Sequence, residues 1–431
     1  MSLKDQHYIH ALINVLSWSC LIVTLLSVFW LQYPINFGDD ARFLTQSLSQ
    51  HSSTIIPIHW HTTLLSLKTL KIAPTAQQQI FINVNYNAPL FKWFWTKLMT
   101  LPPSWQAPIW FNLNIFGFIT GYTLIYYSFF RQQHFCFPLI LSGLFILSAS
   151  LNNLSIGQVG GIVTLIVGLL FYCQHRQFKK CFLVLVSLSV AFKYFFALLW
   201  LHWLRHKQWR YLSLSGFITA SFIAIPYLAL SPVTSGLNLL PNLAVALLAK
   251  AQLLLNSSVL GFLARLFNHY SVLTIYMMYF VGLITITAIL LTTKHPNLSD
   301  KNPMGTPTQL ALYLGLAFSF APLGWSYYSA CLWPLVIILL YYEQHFLTRA
   351  TTFLAIALYC MPSQFDIIVT QNTTLNTPKL IWYAFVPTVL QILLIYTVWQ
   401  KSKYTERPSE FNYISGAILI LTPWLSWLPL F

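Results

Sequence analysis

The sequence predicts an all-α, polytopic integral membrane protein, and three observations carry that prediction. Hydrophobic residues make up 57% of the 431-residue chain and charged residues 7%, a composition outside that of soluble domains. Apolar runs of roughly 17–22 residues recur along its length, and at about 1.5 Å of rise per residue each can cross a hydrocarbon layer. Lys and Arg gather between these runs, at Arg176 with Lys179-Lys180, from Arg205 to Arg210, and from Lys401 to Arg407. A net charge of +15 would suggest nucleic acid in a soluble protein. Short basic clusters between apolar runs instead mark loops kept on the cytoplasmic side, so the expected partner is membrane lipid and not nucleic acid.

The first run, near Leu12–Leu31, leads directly into Tyr33-Pro34-Ile35-Asn36 with no small-residue cleavage site, which reads as a retained span. Spans are predicted at 12–33, 109–130, 137–151, 159–174, 181–192, 194–204, 211–229, 272–292, 308–320, 326–342, 350–362, 378–399 and 411–428. The count is about 11–13, because 181–192 and 194–204 are each too short to cross alone. They form either a broken hairpin or one re-entrant unit, and either way the chain returns to the side it left. Placing the basic loops inside puts residues 34–108 and 230–271 outside. Both loops exceed an ordinary connector, and neither is polar enough for a soluble domain. Residues 1–431 therefore read as one membrane domain with external loops and interfacial helices. Six scattered cysteines include no CxxC pair, so neither a metal knuckle nor a disulfide framework is expected.

A chain with 8 acids in 431 residues discards carboxylates wherever it can, which makes the adjacent pair Asp39-Asp40 the first candidate for chemistry. On this topology the pair lies just outside the first span. Other conspicuous residues fall on the same face: Tyr86 and Asn87, Asn153 and Gln158, Lys193, Asn256 and Arg265, and Trp325, Tyr327 and Tyr328. Aromatic belts and polar caps account for many residues at span ends. They account less well for Lys193, a charge inside an apolar stretch on the side opposite the basic loops, where burial is costly and points to function. A carboxylate at the membrane boundary can act as general base toward a hydroxyl. Lys193 and Arg265 could neutralise a phosphate. Together with an apolar groove for a lipid tail, these groups describe transfer from a lipid phosphate to an external hydroxyl.

These residues resemble the GT-C superfamily of membrane glycosyltransferases, and within it glycosyltransferase family 87, the polyprenyl-phosphate-mannose-type alpha-mannosyltransferases. The matching segments, in order, are Gly38-Asp39-Asp40-Ala41-Arg42-Phe43, Asn85-Tyr86-Asn87-Ala88-Pro89-Leu90-Phe91, and Asn153 to Gln158. Ala191-Phe192-Lys193 follows, then Asn256-Ser257-Ser258 with Gly261 and Arg265, and Ala321-Pro322-Leu323-Gly324-Trp325-Ser326-Tyr327-Tyr328. The resemblance covers roughly residues 10–345. It implies a GT-C-like fold in a bacterial cytoplasmic membrane, with inverting transfer of a sugar from a polyprenyl-phosphate donor to a lipid or glycan acceptor on the periplasmic or external face. The family's first-loop aspartate is the base and is followed four residues later by an aromatic. Asp39 with Phe43 fits that offset, leaving Asp40 as helper or ligand of the acceptor hydroxyl. Lys193 and Arg265 map to donor-phosphate contacts, Gln158 to a polar position at a helix end, and no metal or other cofactor is implied. Relatives commonly carry histidine just after the tryptophan, where Tyr327 stands here. A phenol with a pKa near ~10 cannot share a proton near neutrality as histidine does, so the sugar is left open. Two other classes remain: a transporter or flippase of lipid-linked glycans, for which inverted repeats and midplane polar residues are expected, and a noncatalytic membrane partner protein.

Overall fold

A computed structural model describes residues 3–32, 89–129, 159–229, 258–267, 270–292, 306–322 and 388–397, with isolated positions at 138, 141, 154, 247–248, 251, 256 and 399. The fold is all-α, and every regular element among the described residues is helical. Helix α1 (Leu3–Gln32) is followed by α2 (Pro89–Met99), α3 (Pro103–Phe129), α4 (Gly160–Arg176) and α5 (Lys179–Phe192). A 3-10 turn (Tyr194–Leu199) leads into α6 (Trp200–Arg205) and α7 (Trp209–Ala229), and then come α8 (Val259–Leu266), α9 (Val272–Thr292) and α10 (Pro307–Ser319). Residues Thr388–Thr397 form an apolar helix, α11. Among the described helices, α9 is the one long and apolar enough by length and composition to cross a membrane, and its bounds coincide with the predicted span 272–292. The predicted spans 326–342, 350–362 and 411–428, all of 137–151 but positions 138 and 141, and most of 378–399 lie outside the described residues.

Several helices extend past the predicted spans, because hydropathy marks only the apolar part of a helix. Helix α1 begins at Leu3, not at residue 12, and α3 begins at Pro103, not at residue 109. Prolines punctuate this region. Pro89 and Pro103 each occupy the first position of a helix, where the missing N–H costs nothing. Between α2 and α3, Gln106 Nε2 donates to the carbonyls of Met99 (3.1 Å) and Leu101 (2.7 Å), satisfying acceptors left at the end of α2. Trp95 meets Trp110 edge-on with ring centroids 4.7 Å apart, which fixes the corner.

Helices α3 and α4 touch backbone to backbone. A Cβ on Gly161 would stand 2.1 Å from the Asn114 carbonyl oxygen, one on Gly121 2.4 Å from that of Thr164, and one on Gly168 2.5 Å from that of Gly121. Only hydrogen fits there. Asn114, itself buried, accepts the Gly161 N–H at 3.1 Å and ties the two helices at the same level. The pairs 114/161 and 121/168 advance together along both helices, so α3 and α4 run parallel.

Lys193 lies at the apex of a broken hairpin. Helix α5 stops where Lys193 adopts an extended conformation (φ −144°, ψ 108°), and the 3-10 turn begins at the next residue. Ser187, before the break, and Trp200, after it, both reach the same hydroxyl: Ser187 Oγ lies 2.8 Å and Trp200 Nε1 3.0 Å from Ser215 Oγ. A continuous helix would separate positions 187 and 200 by about 20 Å, so the chain must fold back at Lys193. The two short segments thus return to the level they left, as both a broken hairpin and a re-entrant unit require. Helix α6 then runs back antiparallel to α7, with Trp203 stacked on Tyr211. Arg205 reaches the Leu290 carbonyl at the end of α9, and Tyr279 on α9 reaches the Phe320 carbonyl just past the end of α10. His202 packs edge-on against Tyr313, at a centroid distance of 6.1 Å. These contacts give the bundle two ends. Lys193, the start of α9 and the end of α10 occupy one; Arg205, the end of α9 and the start of α10 occupy the other.

Candidate functional site

Two polar clusters sit at the Lys193 end. In the first, Lys193 Nζ lies 5.5 Å from the centre of the Phe91 ring, and Phe91 meets Phe192 edge-on at 5.3 Å. Phe91 is fully buried on α2, whereas Lys193 is half-buried. The extended break turns Lys193 out of the apolar face of α5, since its own N–H still closes the helix on the Ser189 carbonyl at 2.8 Å. A cation over an aromatic face gains about 0.5–2 kcal/mol, more as water is withdrawn, so Phe91 gives the ammonium a partly desolvated seat.

The second cluster joins two distant stretches of chain, 251–265 and Pro322. Asn256 is fully buried; its Nδ2 donates to the Pro322 carbonyl at 3.0 Å, and its Oδ1 accepts the Ser258 N–H at 3.0 Å. Ser258 caps α8, accepting the Gly261 N–H on Oγ at 3.0 Å. Arg265, in the last turn of α8, donates from Nη1 to the carbonyls of Asn256 (3.0 Å) and Ala251 (3.4 Å). Gly261 permits this crossing, because a Cβ there would lie 2.7 Å from the Ala251 oxygen and 2.8 Å from that of Asn256. Burial pulls the Arg265 guanidinium down to about 9. It therefore stays charged at neutral pH while its geometry is set by backbone carbonyls. A cation at the end of a helix also meets the negative end of the helix dipole.

The 3-10 turn after Lys193 packs along α10, whose far end carries Pro322, so both clusters share one end of the bundle. Among the residues singled out in the sequence, the structure brings Asn256 and Arg265 into direct contact and sets Lys193 at the same end. Asp39, Asp40, Tyr86, Asn87, Asn153, Gln158, Trp325, Tyr327 and Tyr328 lie outside the described residues. Two neighbours escaped the sequence reading as contacts, although both stand within its motifs. Phe91 emerges as the seat of Lys193, and Pro322 as the acceptor that Asn256 and Ser258 share. The N-cap had a legible signal, Asn256-Ser257-Ser258 directly before an apolar run.

Chemically, this end offers two cations and no described carboxylate, since Asp5 on α1 is the one acid whose backbone is described. Such a field favours an anion, and above all one whose charge grows during reaction. Among the described residues no group of three His, Cys, Asp or Glu could hold a metal ion. Compared with protein-family models and with curated proteins, the chain matches none.

Proposed function

We propose that the protein is a polytopic membrane glycosyltransferase of the GT-C kind that uses a polyprenyl-phosphate sugar as donor. One observation carries this reading. Segments that resemble family 87, far apart in the chain, pair at one end of the bundle: Phe91 with Phe192 and Lys193, and Asn256 with Pro322, the Asn256 carbonyl in turn holding Arg265. Outward apolar faces support a membrane setting. Phe217, Ile225 and Leu228 stand exposed on α7, and Leu273, Met277 and Ile284 on α9. The Lys193 end is the non-cytoplasmic one, and the Arg205 end, with its basic turns, faces the cytoplasm.

The reaction follows from the charges. An acceptor hydroxyl attacks the anomeric carbon of the donor from the face opposite the phosphate, and the bond from that carbon to the phosphate oxygen breaks with inversion. Asp39 takes the hydroxyl proton, with Asp40 as helper or acceptor ligand. The departing polyprenyl phosphate gains negative charge, and Lys193 and Arg265 favour that charge electrostatically. Tyr86, Asn87, Asn153, Gln158, Asn256, Trp325, Tyr327 and Tyr328 are assigned to substrate binding. The acceptor is a lipid or glycan.

The test is transfer by the purified, reconstituted protein from a panel of polyprenyl-phosphate sugars. Asp39→Asn should abolish transfer while leaving thermal stability unchanged; undiminished turnover in that variant refutes Asp39 as base. Tyr327, standing where relatives carry histidine, favours the noncatalytic reading as a second possibility. Donor binding without transfer to any acceptor by the wild-type protein would establish it.

A further inference from the structure

Two turns at the Arg205 end are built to one plan. Helix α4 ends with Gln177 in the left-handed region (φ 60°), and α6 ends with Lys207 there (φ 53°). In each, the next N–H reaches back to a carbonyl five residues earlier: Phe178 to Cys173 at 2.9 Å and Gln208 to Trp203 at 2.8 Å. This is the Schellman closure, in which glycine is the usual left-handed residue. The following helices, α5 and α7, begin at once, so both turns present their side chains at helix starts. Arg176, Lys179, Lys180, Lys207 and Arg210 are all exposed there. An apolar side chain stands among the cations in each turn, with Phe178 49% and Trp209 58% exposed.

The two turns lie side by side. Helices α5 and α7 run parallel and touch at Ser187 and Ser215, 2.8 Å apart. Lys179 and Trp209 precede that contact by ~12 and ~9 Å along their helices, which puts both turns at nearly the same level. Two features oppose a merely structural role. Lys179, Lys180 and Arg210 occupy first turns, where the positive end of the helix dipole disfavours cations. The chain also holds no Asp or Glu between Asp40 and Asp300, so no nearby acid in sequence relieves them.

We propose that the turns at 176–180 and 207–210 form one docking surface for the headgroups of anionic phospholipid. The cations meet the phosphates, and Phe178 and Trp209 enter the boundary between headgroup and acyl chain, where aromatic side chains settle. A soluble anion would use the cations and gain nothing from these exposed rings. That asymmetry selects a lipid surface over a free phosphate. The inference rests on the membrane placement proposed above but not on the transfer reaction.

The experiment uses the full-length protein in nanodiscs of phosphatidylcholine, with and without phosphatidylglycerol, and reads retained lipid by native mass spectrometry. The wild type should retain phosphatidylglycerol preferentially, and glycerol phosphate or inorganic phosphate should not displace it. Each surface cation contributes about fivefold, so K179Q/K180Q/R210Q should lower the preference by on the order of a hundredfold. W209A should weaken retention of both lipids. Lys207→Gly separates structure from binding, since it relieves the left-handed backbone and removes one cation. It should raise the melting temperature and lower phosphatidylglycerol preference about fivefold. An unchanged preference in the triple variant and in K207G overturns the proposal. Equal displacement by glycerol phosphate overturns it in favour of a free-anion site, and displacement by an acidic peptide in favour of a protein partner. Failure to enter either bilayer defeats the membrane placement itself, whereas equal retention of both lipids defeats only this inference.

Discussion

Gly161→Ala puts the α3–α4 crossing to a direct test. The added Cβ would stand 2.1 Å from the Asn114 carbonyl oxygen and 2.6 Å from its carbonyl carbon, both rigid backbone atoms. Ordinary contact needs more than 3.4 Å, so the helices must part by about 1 Å or more. Overpacking of that kind costs roughly 1–3 kcal/mol. Separation also stretches the buried bond from the Gly161 N–H to Asn114 Oδ1, now 3.1 Å, and an orphaned buried group costs about 1–3 kcal/mol. Alanine's better helix propensity returns about 1 kcal/mol. The net loss should be about 1–5 kcal/mol. Thermal unfolding of the reconstituted protein measures it, with Gly216→Ala and Gly282→Ala as controls. Neither control site has an atom within 4 Å of the new Cβ, so both should be neutral or gain up to about 1 kcal/mol. If Gly161→Ala melts with the controls, the close parallel crossing is wrong.

Further outcomes follow from the two polar clusters and the hairpin. Lys193→Met should weaken donor binding by about 1.5–3 kcal/mol, roughly 10- to 150-fold in Kd, by titration with a polyprenyl-phosphate sugar; unchanged affinity would return Lys193 to an interface-seeking side chain seated on Phe91. Arg265→Met removes a charged donor from the buried Asn256 carbonyl and should cost about 1–3 kcal/mol near neutral pH. Because burial lowers the Arg265 pKa to about 9, its charged form is penalised in the fold at lower pH and relieved as pH rises through that value. The melting-temperature gap between wild type and R265M should therefore be flat below about 9 and widen above it; a gap that narrows contradicts the burial. Ser215→Ala removes the partner of both Ser187 and Trp200, whereas Ser187→Ala leaves the Trp200 bond in place. S215A should destabilise more, and a double-mutant cycle should show coupling of about 0.5–3 kcal/mol; additivity would argue against the fold-back at Lys193.

Legibility varied by element for identifiable reasons. Helix α9 was readable to its ends because it is apolar throughout and bounded by polar chain. The starts of α1 and α3 were not, since polar turns extend a helix without lengthening its apolar run. The turns at Gln177 and Lys207 gave no warning because their left-handed positions lack the glycine that usually announces them. The α3–α4 seam did leave a signal, Gly117-x-x-x-Gly121, the small-residue spacing of close helix pairs. That spacing does not name the partner. At the candidate site, Lys193 stood out as a charge in an apolar stretch, and Arg265 through the resemblance. Phe91 lies about 100 residues from Lys193, and Pro322 lies 66 from Asn256, and no local pattern encodes such contacts.

The sequence by itself determined an all-helical chain, because runs so apolar can satisfy their backbone polar groups only internally, and it marked the rare charges. Tertiary structure decided which charges share an end. Direction reverses at Lys193, α3 and α4 align in parallel, and α10 carries Pro322 to Asn256. Each depends on contacts between distant residues: a shared hydroxyl, facing glycines and a carbonyl held by a buried amide. Hydropathy sets where a helix can lie, whereas shape and hydrogen bonding between helices set what it lies against.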